Sequence, residues 1–183
     1  MIKNAIFTPE REQLAADTLF ALSNISEPET VFAHSYGAED MVIMDLLAKN
    51  RASTAHIQLF SLDTGRLPAE TYTLMQTAQA FYADYFAAKN IVKLYFPESQ
   101  NVENLVATQG INGFYDSVDA RKNCCFVRKV QPLQRALAGK QAWITGLRRA
   151  QAVSRTDLPP KEWDEAHQLW KYNPLAAWSE ADV

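Results

Sequence analysis

Short apolar segments alternate with helical segments along most of the 183-residue chain, and this alternation constrains the fold more than any other feature. The sequence predicts strands at residues 30–35, 55–61, 91–96 and 141–145, and one more at 167–172. Helices are predicted at residues 8–22, 39–48, 68–87, 101–108 and 121–138, the last of them kinked at Pro132. Strands and helices that alternate at this spacing form a parallel sheet covered on both faces. We therefore predict an α/β fold in a single domain that spans residues 1–183, with a surface loop at residues 157–165.

The overall composition is that of an ordinary globular domain, with 48% hydrophobic and 21% charged residues. A formal net charge of −3 does not suit a general nucleic-acid-binding surface, so no nucleic-acid partner is predicted. The apolar run at residues 41–47 is short and interrupted by Asp45, so no membrane-spanning helix is predicted. The N-terminal segment lacks the apolar core of a secretion signal, and the chain has only two cysteines. These features predict a reducing, cytoplasmic location.

One stretch, residues 120–156, contains no acidic residue. It holds both cysteines, Cys124 and Cys125, and nine of the 18 lysines and arginines. These nine cations are Arg121, Lys122, Arg128, Lys129, Arg135, Lys140, Arg148, Arg149 and Arg155. A local positive field attracts anions and favours thiolates. The stretch therefore predicts a small, highly charged anionic ligand together with cysteine chemistry.

Three predicted strands end in turns that suit a ligand, and ligands bind at the carboxyl ends of strands in open parallel sheets. Residues 35–40 read Ser-Tyr-Gly-Ala-Glu-Asp, and their small side chains allow backbone N–H groups to approach an anion at a helix N-terminus. Residues 62–66 read Leu-Asp-Thr-Gly-Arg, which places an acceptor, a hydroxyl and a guanidinium in a row. Residues 146–149 read Gly-Leu-Arg-Arg, and paired arginines suit phosphate or sulfate. Each turn taken alone is also compatible with a plain connection.

The cysteines lie on a predicted helix whose basic residues share one face with them. Arg121, Cys124, Cys125, Arg128 and Lys129 follow the spacing i, i+3, i+4, i+7, i+8. The opposite face is predicted to pack on the core through four apolar residues, Phe126, Val130, Leu133 and Leu137. Neighbouring thiolates can hold half of a metal or iron–sulfur site, whereas the three histidines show no ligand spacing. The alternative is a pair of small buried residues beside a basic surface.

Five segments, in order, resemble those of the assimilatory sulfonucleotide reductases, and most closely the adenylyl-sulfate (APS) reductases of the iron–sulfur branch. Residues 35–40 resemble the family's modified pyrophosphate loop, and residues 62–72 its LDTGR-L-x-x-E-T-Y segment. Residues 124–133 are similar to its CC-x-x-RK-[IV]-x-PL segment. Residues 143–151 are similar to W-x-TG-x-RR-x-Q, and residues 171–175 to K-[FY]-NPL. The resemblance runs from Phe32 to Val183.

The resemblance implies a Rossmann-like, adenine-nucleotide α-hydrolase-like fold of the PP-loop superfamily. It implies thioredoxin-dependent reduction of APS to sulfite and AMP in sulfate assimilation and cysteine biosynthesis, through a cysteine S-sulfonate. The implied cofactor is a 4Fe–4S cluster, with neither nicotinamide nor flavin, and a homo-oligomer is expected. Cys124 and Cys125 would ligate the cluster, while Lys129 and Arg128 would serve the chemistry. The implied substrate-binding residues are Ser35, Tyr36, Gly37, Leu62, Asp63, Thr64, Gly65, Arg66, Gly146, Arg148, Arg149 and Arg155.

The chain departs from the family pattern at several points. It lacks the family's C-x-x-C pair and the E-C-G-L-H segment that carries the nucleophile, and a capping box that begins at Ser179 leads us to expect both beyond residue 183. Leu147 and Ala150 stand where the family often has Gln and Asp. Three alternatives stay open: a reductase of the 3′-phosphorylated substrate (PAPS), an ATP pyrophosphatase and a non-catalytic nucleotide-binding module that senses sulfur status. The pyrophosphatase would need an S-G-G-x-D-S loop, and residues 35–40 lack its second Gly and final Ser.

Overall fold

A computed structural model describes residues 8–152 and 157–183, and its centre is a six-stranded sheet. The strands are β1 (Thr30–Ala33), β2 (Gln58–Leu62), β3 (Val92–Tyr95), β4 (Ala142–Ile144), β5 (Lys161–Asp164) and β6 (Leu169–Tyr172). The α-helices are α1 (Pro9–Ser23), α2 (Ala38–Lys49), α3 (Arg51–Thr54), α4 (Ala69–Phe86), α5 (Ser99–Gln109), α6 (Val118–Cys125) and α7 (Gln131–Leu137). A π-helical turn (Phe126–Val130) joins α6 to α7, and short 3₁₀ helices cover Gly113–Tyr115 and Arg149–Gln151.

The strand order confirms the predicted open, mostly parallel sheet. It is β3-β2-β1-β4-β6-β5, and every pairing is parallel except that of β5 with β6. From β1 the chain moves outward to β2 and β3, then returns to place β4 on the other side of β1. Crevices for ligands open at such a switch point, at the carboxyl ends of the strands. The topology therefore directs attention to the ends of β1 and β4.

Apolar clusters lie on both faces of the sheet because consecutive strand residues point in opposite directions. Phe32 of β1 packs with residues of α1, α2 and α4, among them Leu22 and Ile43. The neighbouring residue Val31 packs on the other face with Ala136 and Leu137 of α7. Both faces are thus covered, as the alternation of elements predicts. Among the residues described, no helix is long and apolar enough to cross a bilayer.

The predicted loop at residues 157–165 is wrong in part, because Lys161–Asp164 forms the edge strand β5. This strand pairs antiparallel with β6, and Trp163 packs edge-to-face on Trp170 with ring centroids 5.3 Å apart. The loop prediction followed from Pro159-Pro160 just before this segment and from the three charged residues within it. Charged side chains are typical of edge strands, which they protect from pairing with other chains. The polar composition here therefore marks an edge and not a loop.

The predicted core-facing stripe of the cysteine helix is also wrong in part. Phe126 is 45% exposed, whereas its neighbour Val127 is buried. The cause is the π-helical turn, in which the N–H of Gln131 bonds to the carbonyl of Phe126. One extra residue in a turn rotates the following positions, so a spacing counted at 3.6 residues per turn fails across it. Leu137, beyond the turn, is buried as expected.

His34, which directly follows β1, generates a prediction about acid stability. It is only 2% exposed, its Nδ1 accepts the N–H of Tyr36 at 3.1 Å, and burial lowers the pKa of His34 to about 3. The unfolded chain takes up this proton near pH 6.5, whereas the folded chain does not. Since the unfolded state then binds more protons, stability should fall as the pH drops from about 6.5 toward 3, by up to about 1.4 kcal/mol per pH unit.

The test compares the chain with His34→Asn, which keeps a side-chain acceptor but does not titrate. Urea unfolding at pH 7 and pH 5 should show the stability advantage of the natural chain shrinking by about 2 kcal/mol on acidification. Both proteins share every carboxylate, so this difference isolates His34. A difference that stays constant between the two pH values would contradict the prediction.

Candidate functional site

A cleft of about 430 Å³ opens at the switch point, where the carboxyl ends of β1, β2 and β4 meet. Its walls come from the turns after these strands and from the helical run that carries the cysteines, which contributes Lys129 and Leu133. A second groove, of about 340 Å³, is lined by Arg51, Lys93 and Lys140. None of the predicted site residues lines that groove. The cleft at the switch point is therefore the candidate site.

Asp40 occupies the base of this cleft and ties the turn after β1 to the turn after β4. Its Oδ2 accepts the backbone N–H of Ser35 at 2.6 Å and the Ser35 hydroxyl at 2.5 Å, and its Oδ1 lies against Gly146. The residue is only 6% exposed. Burial raises the pKa of Asp40 above its usual value and outweighs these hydrogen bonds, which lower it.

Gly146 is required by this close approach. A Cβ atom at this position would overlap the Asp40 carboxylate and come within 3.1 Å of the Glu39 Cβ. Its backbone does not have the positive φ that favours glycine elsewhere in the chain, so the constraint is steric and comes from Asp40. Gly146 thus allows the two turns to meet closely, and its predicted contact with the substrate stays a prediction.

Glu39, the neighbouring acid, forms a second tie across the switch point. Its Oε1 accepts Nε and Nη2 of Arg148, at 2.9 and 2.7 Å, and Nε2 of Gln151 at 3.0 Å. Burial raises the pKa of Glu39, but the hydrogen bonds and charge of Arg148 outweigh it, so the pKa lies below its usual value. Arg148 is itself only 6% exposed. Its charge is therefore neutralised inside the protein.

The turn after β2 is shaped by Asp63. This buried carboxylate accepts the N–H of Gly65 at 2.8 Å and the hydroxyl of Tyr72 at 2.9 Å. Gly65 adopts the left-handed conformation, with φ at 70°. Arg128 then donates to the carbonyl oxygen of Thr64 at 2.8 Å, which ties the turn to the cysteine helix. These hydrogen bonds fix the conformation of the turn.

Two further predicted arginines bind protein groups away from the cleft lining. Arg66 donates to the Ile111 carbonyl and to Asn112 Oδ1, at 2.8 Å each, and its guanidinium lies over the Phe114 ring. Arg149 donates to the Leu158 carbonyl at 2.8 Å. Arg155 lies outside the described residues. The substrate contacts predicted for these three side chains remain predictions.

Five of the predicted residues line the cleft together: Ser35, Leu62, Thr64, Lys129 and Gly146. The other described ones do not line it: Tyr36, Gly37, Asp63, Gly65, Arg66, Arg128, Arg148 and Arg149. Lys129 is exposed and is the cation that lines the cleft within the described ranges, where it forms no ion pair. An anionic ligand in the cleft would therefore meet the charge of Lys129 first.

Sequence reasoning missed the apolar wall of the cleft, which Phe60, Leu133 and Trp143 contribute. The indole N–H of Trp143 is buried and has no partner in the part of the chain described. The strand alternation carried the necessary information, because Trp143 lies between Ala142 and Ile144, which are fully buried on the opposite face. A flat aromatic ring and aliphatic side chains suit the face of a nucleobase.

The two cysteines lie on the same helical run as Lys129. Cys124 is half-buried and Cys125 is exposed, and both are free thiols. Within residues 8–152 and 157–183, no group of three or more His, Cys, Asp or Glu side chains could hold a metal ion. The pair can therefore supply two thiolate ligands to an iron–sulfur cluster, and a cubane cluster needs four.

Comparisons with known proteins identify the family of this chain. The family described as phosphoadenosine phosphosulfate reductase domain matches residues 29–183. The adenosine 5′-phosphosulfate reductase of Allochromatium vinosum is 45% identical over 175 residues, which is 96% of this chain and 64% of that protein. The Burkholderia cepacia protein of the same name is 42% identical, over 91% of this chain and 63% of its own length. The chain thus spans slightly less than two thirds of these relatives.

Two solved structures share the fold. The phosphoadenylyl-sulfate reductase of Candida auris, crystallised with phosphate, superposes with a TM-score of 0.67 at 24% identity, over 96% of this chain and 83% of that one. The FMN adenylyltransferase of Candida glabrata, in complex with ATP, gives a TM-score of 0.60 at 13% identity, over 94% and 53% of the two chains. At these identities the likeness supports the fold alone.

The buried tie between Glu39 and Arg148 generates a stability prediction. In a double-mutant cycle with Glu39→Ala and Arg148→Met, the pair should show a coupling energy of about 1–3 kcal/mol, because either single change leaves the other, largely shielded group without its charged partner. The exposed pair Glu98 and Arg135 serves as the control and should couple by less than about 1 kcal/mol. Urea unfolding measures both cycles. Equal coupling in the two pairs would show that the tie adds nothing beyond a surface ion pair.

Proposed function

Because the chain belongs to the phosphoadenosine phosphosulfate reductase domain family, we propose that it forms the nucleotide-binding part of an APS reductase, an oxidoreductase that acts on a sulfur group. The proposed reaction converts APS to sulfite and AMP with reduced thioredoxin as the electron donor. The observation that carries the proposal is the cysteine pair, Cys124 and Cys125, on the helical run that also places Lys129 in the cleft. The names of the relatives that match at 42–45% identity support it.

The cleft suits an adenosine that enters between its apolar and polar walls. Leu62, Leu133 and Trp143 offer apolar surface to the adenine ring, while Ser35 and Gly146 belong to the polar wall of the cleft. A volume of about 430 Å³ is within the range of small-ligand pockets. We propose that adenosine lies against these walls and that the phosphate and sulfate point toward Lys129.

The chemistry of APS explains the need for a cation at that end. Its sulfate is joined to AMP by a mixed anhydride, so a cysteine thiolate can attack the sulfur while the sulfur–oxygen bond to AMP breaks. AMP leaves with the electron pair of that bond, and thioredoxin's dithiol then supplies the two electrons that release sulfite. In this scheme Lys129 stabilises the negative charge on the oxygens of the sulfate and of the leaving phosphate. The attacking thiolate would come from a segment that the longer relatives possess.

A 4Fe–4S cluster fits the donor set only in part. Cys124 and Cys125 would provide two of its four thiolate ligands, and the other two would come from outside these residues. When bound, the cluster would tune the electrostatic potential at the sulfate. Lys129 follows Cys125 by four residues on the same helical run, and we propose that its ammonium lies between the cluster and the sulfate. We further propose a homo-oligomeric, cytoplasmic enzyme that uses neither nicotinamide nor flavin.

The reaction itself is tested by incubating the full-length protein with APS and reduced thioredoxin and measuring sulfite. Sulfite release from APS supports the proposal. Release only from the 3′-phosphorylated substrate would favour PAPS reduction, and release of pyrophosphate from ATP would favour the pyrophosphatase alternative. Tight AMP binding without sulfite from either substrate would indicate a non-catalytic nucleotide-binding module.

Lys129→Ala should weaken APS binding by about tenfold and change AMP binding by less than about twofold, because the side chain faces the sulfate end. Isothermal titration calorimetry with APS and with AMP measures the two changes in affinity. Lys122→Ala is the matched control, since Lys122 is an exposed lysine on α6 and does not line the cleft. Equal losses of APS and AMP affinity in Lys129→Ala would show that Lys129 binds the AMP part of the ligand and not the sulfate.

Cys124→Ser should abolish cluster assembly, because serine does not replace a thiolate ligand to iron. The measurement is iron and acid-labile sulfide per chain in anaerobically purified full-length protein, together with its visible absorption. Asn123→Ser, one residue away on the same helix, should retain the cluster content of the natural protein. A Cys124→Ser protein with the full cluster spectrum would rule out the ligand assignment.

A further inference from the structure

We propose that Asp40 determines nucleotide specificity by occupying, with its own carboxylate, the anion position of the turn after β1. The turn is thereby closed to the outer phosphates of nucleotides such as ATP. The inference rests on the proposed nucleotide site, because it concerns which nucleotides that site accepts. It names a residue and a mechanism for refusing ATP.

The hydrogen-bond donors of this turn converge on Asp40. The Ser35 N–H and the Ser35 hydroxyl both bond to its Oδ2, and its Oδ1 lies against Gly146 of the turn after β4. Donors that converge on one place in such a turn are the arrangement that binds a phosphate oxygen. Here a side-chain oxygen already accepts these bonds.

The remaining N–H groups at the start of the turn also have partners within it. The N–H of Tyr36 bonds to His34 Nδ1 at 3.1 Å, and the N–H of Gly37 bonds to the Ser35 hydroxyl oxygen at 3.3 Å. These two N–H groups are therefore engaged within the turn. An anion that reached the Ser35 donors would have to displace Asp40.

The sequence of the turn supports the same reading. An ATP pyrophosphatase loop ends in Ser, whose hydroxyl can donate a hydrogen bond to a phosphate. Asp40 stands at this sixth position, and an ionised carboxylate can only accept. Where the pyrophosphatase loop has a hydroxyl that donates to phosphate, this chain thus has a carboxylate that resembles the phosphate anion.

Charge adds to this exclusion. The charge of Glu39 is neutralised by Arg148, whereas Asp40 forms no ion pair within the described ranges. A phosphate placed at the start of α2 would therefore meet an uncompensated carboxylate in a partly buried site, where repulsion between like charges is strong. A nucleotide such as APS, whose phosphate and sulfate would point toward Lys129, avoids this contact.

The test measures the binding of AMP, ATP and inorganic pyrophosphate by isothermal titration to the chain and to Asp40→Asn and Asp40→Ser. The natural chain should bind AMP at least about tenfold more tightly than ATP. Asp40→Asn should gain about tenfold or more in affinity for pyrophosphate, and the ratio of its ATP affinity to its AMP affinity should rise about tenfold or more over that of the natural chain. Asp40→Ser, which restores the donor, should gain at least as much.

Glu39→Gln is the matched control, because it removes one negative charge at the adjacent position and keeps an acceptor for Arg148. It should gain clearly less ATP affinity than Asp40→Asn. Equal gains would overturn the proposal in favour of a general field effect, and so would an absence of any gain in a folded Asp40 variant, as judged by circular dichroism. Failure of the natural chain to bind AMP would instead refute the proposed function.

Discussion

Two consecutive acids at the start of α2 hold the candidate site together. Glu39 binds Arg148 and Gln151, and Asp40 binds Ser35 and lies against Gly146, so both connect the turn after β1 to the turn after β4. These turns lie on either side of the topological switch point, where parallel strands diverge and a crevice would otherwise open without support. The acids replace that missing support. The width of the cleft therefore depends on α2 as much as on the sheet.

The cysteine helix completes the site because of an irregularity. The π-helical turn between α6 and α7 ends just before Pro132, which has no N–H to donate. The turn lets the helical run continue past the proline and rotates its two halves relative to each other. As a result α7 packs its apolar face on the sheet, while the half that bears Cys124 and Cys125 stays accessible. Functional sites are where such turns are commonly found.

The sequence predicted the fold well because its strands are short, apolar and separated by clear helix signals, such as the Thr8 cap and Pro9 at the start of α1. It predicted which turns meet at the site, because parallel strands place their carboxyl ends on one edge. It could not predict β5, whose polar residues reflect an edge position, nor the exposure of Phe126, which depends on hydrogen bonding in the π-helical turn. Most of all, it could not show which arginines are already paired, because pairing is decided by residues far away in the chain.

That last point changes the meaning of the acid-free stretch. Five of its cations are engaged by groups elsewhere in the fold: Arg128, Arg135, Lys140, Arg148 and Arg149. Arg121, Lys122 and Lys129 form no ion pair within the described ranges, and all three lie on the helical run of the cysteines. Carboxylates neutralise three of these five charges, those of Arg135, Lys140 and Arg148, whereas Arg128 and Arg149 donate to backbone carbonyls and keep their charge. The unpaired cations of the helical run lie beside the thiols and at one mouth of the cleft, while carboxylates occupy the base. An anion is therefore drawn toward the cysteine helix and away from α2, and this polarity gives the site a direction for its ligand.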